Sequence, residues 1–247
     1  LQNRREFLFA ASAAAAMAAA SAPRGAFAAS LTSDPAEAAK QNALFELLVD
    51  RQLRRSPETA TSLGVDKGDR AWTKSALSDF SLTAIRENGD LSALALADLR
   101  RIDRSKLAGL DAVNYDTVEF VLTIGDAFTR RFEFNGAYGG APYVISQLTG
   151  AYQQLPDFLD SQHVIETRAD ADAYMARMEA FGRVLDQEVE VGRRDASLGV
   201  IPADFTIDKA LIQFKAMLGV APDAAPLVTS VARRAREKGI EGDYAGE

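Results

Sequence analysis

The sequence predicts an all-α fold, a multi-helix array. Three observations carry that expectation. Large apolar residues recur at three- and four-residue steps along most of the chain. Runs of alternating Val, Ile and Thr, the mark of half-buried strands, are missing from the sequence. Proline and glycine fall mostly between the periodic segments, where helices stop.

The first 28 residues read as a segment apart from the fold. Asn3-Arg4-Arg5-Glu6-Phe7-Leu8 sets an arginine pair, a spacer and two large apolar residues in a row. A charge-free, alanine-rich stretch runs from Phe7 to Ala22, and Ala26-Phe27-Ala28 is a small-x-small triplet. This is the order of a secretory signal, and the arginine pair makes it the twin-arginine (Tat) type. Arg4, Arg5, Phe7 and Leu8 form the recognition end. Ala26 and Ala28 mark a cut after Ala28, with a cut after Ala22 as the second choice. The other reading is a retained membrane anchor. The stretch of about 16 residues is short of the roughly 20 that a spanning helix needs. The expected partner is therefore the Tat export machinery, the expected location periplasmic or otherwise exported, with no stable membrane span after cleavage.

Residues 29–35 read as a flexible entry, and 36–247 as one helical domain. A first helix starts at Ala36, carries Leu44, Leu47, Leu48 and Arg51 at helical spacing, and stops at Ser56-Pro57. A short second helix runs from Pro57 to Leu63-Gly64. Asp66 to Thr73, polar and holding Trp72, reads as a loop. Lys74 to Leu110 reads as two helical stretches parted by a turn at Asn88-Gly89-Asp90. Asp111 is expected to cap a long helix ending near Phe132. The glycine-rich stretch Gly136 to Gly140 then breaks the chain.

Thr167, with Asp170 three positions on, predicts a capped helix start. Tyr174, Met178, Phe181, Leu185 and Val189 are its expected apolar stripe, and Glu188, Glu190, Arg193, Arg194 and Asp195 its solvated faces. Gly199 and Pro202 end it. Two more helices follow, Asp204 to Leu218 and a last one from near Asp223 to before Gly239. The polar stretch 239–247 shows no capped final element, and the domain is expected to be truncated there.

Composition narrows the chemistry. Net charge is −7 over 247 residues, which argues against nucleic acid as a partner. There is no cysteine, so disulfides, thiolate metal sites and cysteine nucleophiles are excluded. The single histidine, His163, cannot by itself build a zinc site, which needs two or three His or Cys ligands in most proteins. A Ser-His-Asp arrangement would have to use His163. The plainer reading is a loop histidine, hydrogen-bonded or solvated. Gly136 to Tyr143 lacks the Gly-Lys-Ser/Thr of a phosphate-binding loop. Tyr143, Gln147, Tyr152 and Gln153 flank it and are candidates for a substrate cleft. The alternative is that the tyrosines pack in the core while the glutamines cap helix ends.

The run Gln147-Leu148-Thr149-Gly150-Ala151-Tyr152-Gln153-Gln154-Leu155-Pro156-Asp157-Phe158-Leu159, its continuation through His163, Thr167, Tyr174 and Arg177, and Gly199-Val200-Ile201-Pro202-Ala203-Asp204-Phe205 occur in a distinctive order. This order resembles the bacterial "domain of unknown function 885" family of exported proteins. The resemblance covers nearly all of the chain after the signal. It implies a relation to helical, zincin-like zinc metallopeptidases. There a His-Glu pair on a helix and a second His hold the metal, and the Glu acts as general base. No His-Glu pair occurs here, and His163 is followed by Val164. No catalytic, cofactor-binding or metal-binding residue is carried over.

The resemblance therefore implies the N-terminal half of a larger helical zincin-like fold, without cofactor in this half. Zinc and a peptide-like substrate are expected of the full-length protein. The alternative is a complete, non-catalytic helical binding or interaction protein of the periplasm.

Overall fold

The computed structural model describes residues 32–134 and 143–244. The export-signal residues Arg4, Arg5, Phe7, Leu8, Ala26 and Ala28 lie outside them, as do Gly136 to Gly140. All regular elements of the described residues are helical, as the periodicity predicts.

Helix α1 spans Pro35–Arg55. Its entry is pinned by Asp34, whose carboxylate accepts from the Ala36 N–H at 2.8 Å, and by Ser33, which donates to Asp111 at 2.6 Å. Pro57 opens α2, Pro57–Ser62, where a proline lacks a donor that the first turn does not use. The Trp72 segment is a 3₁₀ turn, Gly68–Ser75, rather than a loop.

Helix α3 spans Leu82–Leu99 without interruption. The turn expected at Asn88-Gly89-Asp90 is absent, and Leu77 and Phe80 precede the helix in irregular chain. The reason is tertiary. A Cβ on Gly89 would lie 2.7 Å from Thr129 Cγ2. Gly89 is where the next helix presses closest, not where the chain turns. That next helix, α4, spans Gly109–Arg131. It runs antiparallel to α3: Gly89 faces Thr129 at one end, and Arg100 bonds Glu119 nearer the other. Asp111 is not its cap. The helix begins two residues earlier, and the Asp111 carboxylate is held by Ser33 instead.

Helix α5, Ala151–Ser161, has no counterpart among the expected helices and carries Pro156 in its interior. An internal proline forfeits a hydrogen bond and costs about 3 kcal/mol in an exposed helix. Burial of Ala151, Tyr152, Leu155 and Leu159 on one face offsets this. Helix α6, Arg168–Ser197, is the axis of the fold, and its start forms the expected capping box between Thr167 and Asp170. Helices α7, Asp204–Leu218, and α8, Pro226–Glu237, complete the array.

The buried face of α6 differs from the expected stripe. Tyr174 is on it, but Val189 is 40% exposed, and Met178, Phe181 and Leu185 sit at its margins. Ala171, Val184 and Val191 are buried with Arg177, Glu188 and Asp195. Two charged residues read as solvated, Glu188 and Asp195, thus face inward. Neighbours pack on several sides of α6, so its contact face exceeds a simple apolar stripe. Glu188 Oε1 accepts from the Ala151 N–H at 2.7 Å, placing a carboxylate at the start of α5, where free N–H groups and the helix dipole favour an anion.

Three apolar clusters result. One joins α5, α6 and α8 through Leu159, Tyr174 and Val231. One joins α5 and α6 with Leu77. The third joins α1, α3 and α4 through Leu99, Ile102 and Tyr115. No helix among the described residues is long and apolar enough to cross a membrane.

Candidate functional site

Tyr143, Gln147, Tyr152 and Gln153 gather around a tight loop. The Ser146 N–H donates to the Thr149 carbonyl at 3.1 Å, and Ser146 Oγ accepts from the N–H groups of Leu148 and Thr149, each at 3.1 Å. Gly150, at φ 115°, then turns the chain into α5, a backbone setting that disfavours any side chain. The Gln153 amide donates to the Gln147 carbonyl at 2.9 Å, closing the loop from the helix side.

Tyr152 is buried. Its hydroxyl lies 2.7 Å from the Ser146 carbonyl and 2.6 Å from Gln213 Oε1, two acceptors for one proton. Its ring stacks on Phe214 of α7 at 4.1 Å. Burial raises its hydroxyl above the usual tyrosine range, so it works as a neutral donor. Tyr143 is half-buried, and its carbonyl accepts from Thr149 Oγ1 at 3.1 Å. Gln147 Oε1 is buried and makes no hydrogen bond. Of the four, Tyr152 and Gln153 shape the loop, while Gln147 keeps an unused acceptor.

His163 is fully buried. Its Nε2 lies 2.9 Å from the Asp170 carbonyl, so it carries the proton, and Nδ1 accepts from Arg177 Nη1 at 2.8 Å. Burial, with the Arg177 charge adding to it, pushes the ring down to about 4. It is a neutral, saturated imidazole at physiological pH. Arg177 reaches further. It donates to the Ala76 carbonyl at 2.9 Å, and to Thr61 Oγ1 and the Thr73 carbonyl, both at 2.8 Å. The Phe158 ring lies 4.8 Å from the guanidinium carbon. One side chain thus ties α2, the 3₁₀ turn, α5 and the histidine loop to α6. Burial lowers Arg177 to about 10, which leaves it charged. Asp170 is held at about 2. Its burial acts the other way, and is outweighed by Lys74 and by the N–H groups of Glu166 and Thr167.

These residues do not fit zinc. Both nitrogens of the lone histidine are taken, and no group of three His, Cys, Asp or Glu is placed to hold a metal among the described residues.

A cavity of about 600 Å³ opens between α1, α3 and α5. Leu48, Phe80, Ile85, Leu91 and Phe158 give it apolar walls, with Arg51 and Arg55 on one side. None of the four candidate cleft residues lines it, although Gln154, next to Gln153, does. The walls come from segments up to about a hundred residues apart, and local pattern carries no sign of such a site.

Residues 57–245 match the family described as bacterial protein of unknown function, DUF885. The chain belongs to that family. No curated protein matches it. Its fold is similar to a crystal structure described as a candidate lipoprotein from Colwellia psychrerythraea, with a TM-score of 0.69 at 16% sequence identity. The match covers 87% of this chain and 37% of that one.

Proposed function

We propose that these residues are the N-terminal helical portion of an exported, zinc-dependent, peptidase-like hydrolase whose His-Glu segment lies in the rest of the polypeptide. The observation that carries this reading is apolar surface without cover. Leu110, Val113, Phe120, Val121, Ile124 and Phe128 recur at helical spacing along the outer face of α4, and Phe120 is 68% exposed. On α7, Phe205, Leu211, Ile212 and Leu218 are exposed as well, with Ile212 67% exposed. A continuous apolar stripe of this size marks an interface. The similar fold belongs to a chain of which this one spans 37%. A longer polypeptide supplies the cover, and the zinc ligands that these residues lack come from it.

Export rests on the Arg4-Arg5 signal, and the lipoprotein description of the similar structure agrees with it. In this reading the 143–150 loop borders the substrate cleft. Gln147 is the group with free capacity for a peptide amide, and Tyr143 stands beside it. The second reading, a non-catalytic periplasmic binding protein, draws support from the cavity between α1, α3 and α5.

The test is the whole protein, purified from the periplasm. One zinc per chain is expected, with peptide hydrolysis lost to a chelator and restored by zinc, and replacement of both arginines by Lys keeping the precursor in the cytoplasm. A whole protein without zinc that cleaves no member of a mixed peptide library overturns the hydrolase reading and leaves the binding reading in its place.

A further inference from the structure

We propose that the cavity between α1, α3 and α5 binds a small carboxylate bearing an apolar side chain, the chemistry of an N-acylated amino acid or of the carboxyl end of a short peptide. The proposal stands on this chain's own geometry, whether or not the whole protein is a hydrolase.

The size comes first. About 600 Å³ is within the range of small-molecule sites and exceeds what one or two waters fill. Just under half of the lining residues are aliphatic or aromatic and the rest are polar or charged, so the ligand has an apolar part and a polar part.

The polar groups then divide into committed and uncommitted. Glu58 is committed: its Oε1 accepts from the Ser78 N–H at 2.9 Å and its Oε2 from Ser78 Oγ at 2.5 Å. Asp79 Oδ1 accepts from the Ser81 N–H at 2.9 Å and from Gln187 Nε2 at 2.8 Å. Arg55 donates to Asn88, to the Ala84 carbonyl at 3.3 Å and to Glu87 at 3.2 Å.

Arg51, one turn earlier on the same face of α1, is different. It is half-buried at the cavity wall, and has no hydrogen bond or ion pair among the described residues. The side chains of Gln52 and Gln154 at the rim are equally uncommitted. What the cavity offers a ligand is therefore one guanidinium, the carboxamides of Gln52 and Gln154, the amide N–H groups of Asn88, and apolar side chains between them.

A planar guanidinium lacking an anion selects a carboxylate, which it can hold through two parallel hydrogen bonds. The carboxamides suit a peptide or acylamide group next to it. Glu58 and Asp79 at the margin set the charge limit. They disfavour a doubly charged phosphate, while the two arginines disfavour a cationic ligand.

Calorimetric titration of the whole protein with N-acetylphenylalanine and with its carboxamide tests this. The acid is expected to bind saturably and the carboxamide about tenfold or more weakly, as loss of a charge-assisted pair implies. Arg51→Gln should bring the acid down to the carboxamide's affinity and leave the carboxamide unchanged. Ser92→Phe, which fills the cavity from α3, should abolish both. Arg54→Gln, on a residue paired with Asp50 at 2.7 Å outside the cavity, should change neither.

Equal affinity for acid and carboxamide overturns the proposal. So does an unaltered Arg51→Gln, inorganic phosphate binding as tightly as the acid, or no saturable binding at millimolar acid by protein shown folded by circular dichroism. A whole protein without zinc would sink the hydrolase reading and leave this one standing.

Discussion

The surroundings of Arg177 and the outer faces of α4 and α7 are two regions built on opposite terms. Around Arg177 every strong polar group is matched. The guanidinium serves acceptors from three segments, His163 has both nitrogens engaged, and Asp170 is saturated by Thr167, Glu166 and Lys74. On α4 and α7, large apolar side chains stand in solvent. The first region is closed within this chain and holds its helices in place. The second is open, and in the proposed reading the rest of the polypeptide covers it. The difference separates side chains whose polar groups are satisfied within these residues from side chains left in solvent.

The largest expected effect tests the closed region. Arg177→Met removes the hub and takes the donor from buried His163 Nδ1 and Thr61 Oγ1 and from the half-buried Ala76 carbonyl. We expect a loss of about 3–5 kcal/mol, measured by urea denaturation, as for breaking a buried charged network. A loss below about 1 kcal/mol would show the hub to be incidental.

Next is pH. Burial pushes the folded imidazole of His163 down to about 4, below the ordinary 6.5 of a histidine. The unfolded state therefore binds more protons between those values, and stability is complete above about 6.5 and falls as pH drops toward 4. The contribution is on the order of 3 kcal/mol, and His163→Gln should flatten that part of the profile. Asp170 adds a second decline further down, from about pH 4 toward 2, because its folded value is also depressed.

Gly89→Leu should cost about 1–3 kcal/mol through the clash with Thr129, with Thr129→Ser giving partial rescue. The smallest effect is the most telling for the open region. Phe120→Ser should change the stability of residues 29–247 alone by no more than about 0.5 kcal/mol, as at an exposed surface site. In the whole protein the same change should cost about 2 kcal/mol or more, as at a buried one. Equal effects in both would mean that nothing covers α4.

What was legible in the sequence follows the same division. Helices α1, α2, α6, α7 and α8 were readable because their signals are local: the spacing of Leu44, Leu47 and Leu48, Pro57 at a start, the Thr167–Asp170 box, Gly199 and Gly239 at ends. The all-helical class followed from periodicity alone. Where tertiary contact overrode local preference, the reading failed. Asn88-Gly89 is a strong turn signal, yet Gly89 serves a helix crossing. Residues 151–161, with Pro156 among them, had no helix expected of them, yet burial carries α5 through the proline. Glu188 and Asp195 look like surface residues, yet their partners lie inside. The four cleft candidates came together because they are near neighbours in sequence. That Tyr152 would be locked by Gln213 and Phe214, some sixty residues on, had no local sign. The cavity had none either, since Leu48, Ile85 and Phe158 meet only after folding.

Gly89 has one more consequence. Asn88 and Ser92, beside it and one turn on, line the cavity, as does Leu122 on α4. A side chain at Gly89 that pushes α3 off α4 is therefore expected to move these lining residues with it. Gly89→Leu is thus expected to loosen the helix pair and reshape the cavity in one step.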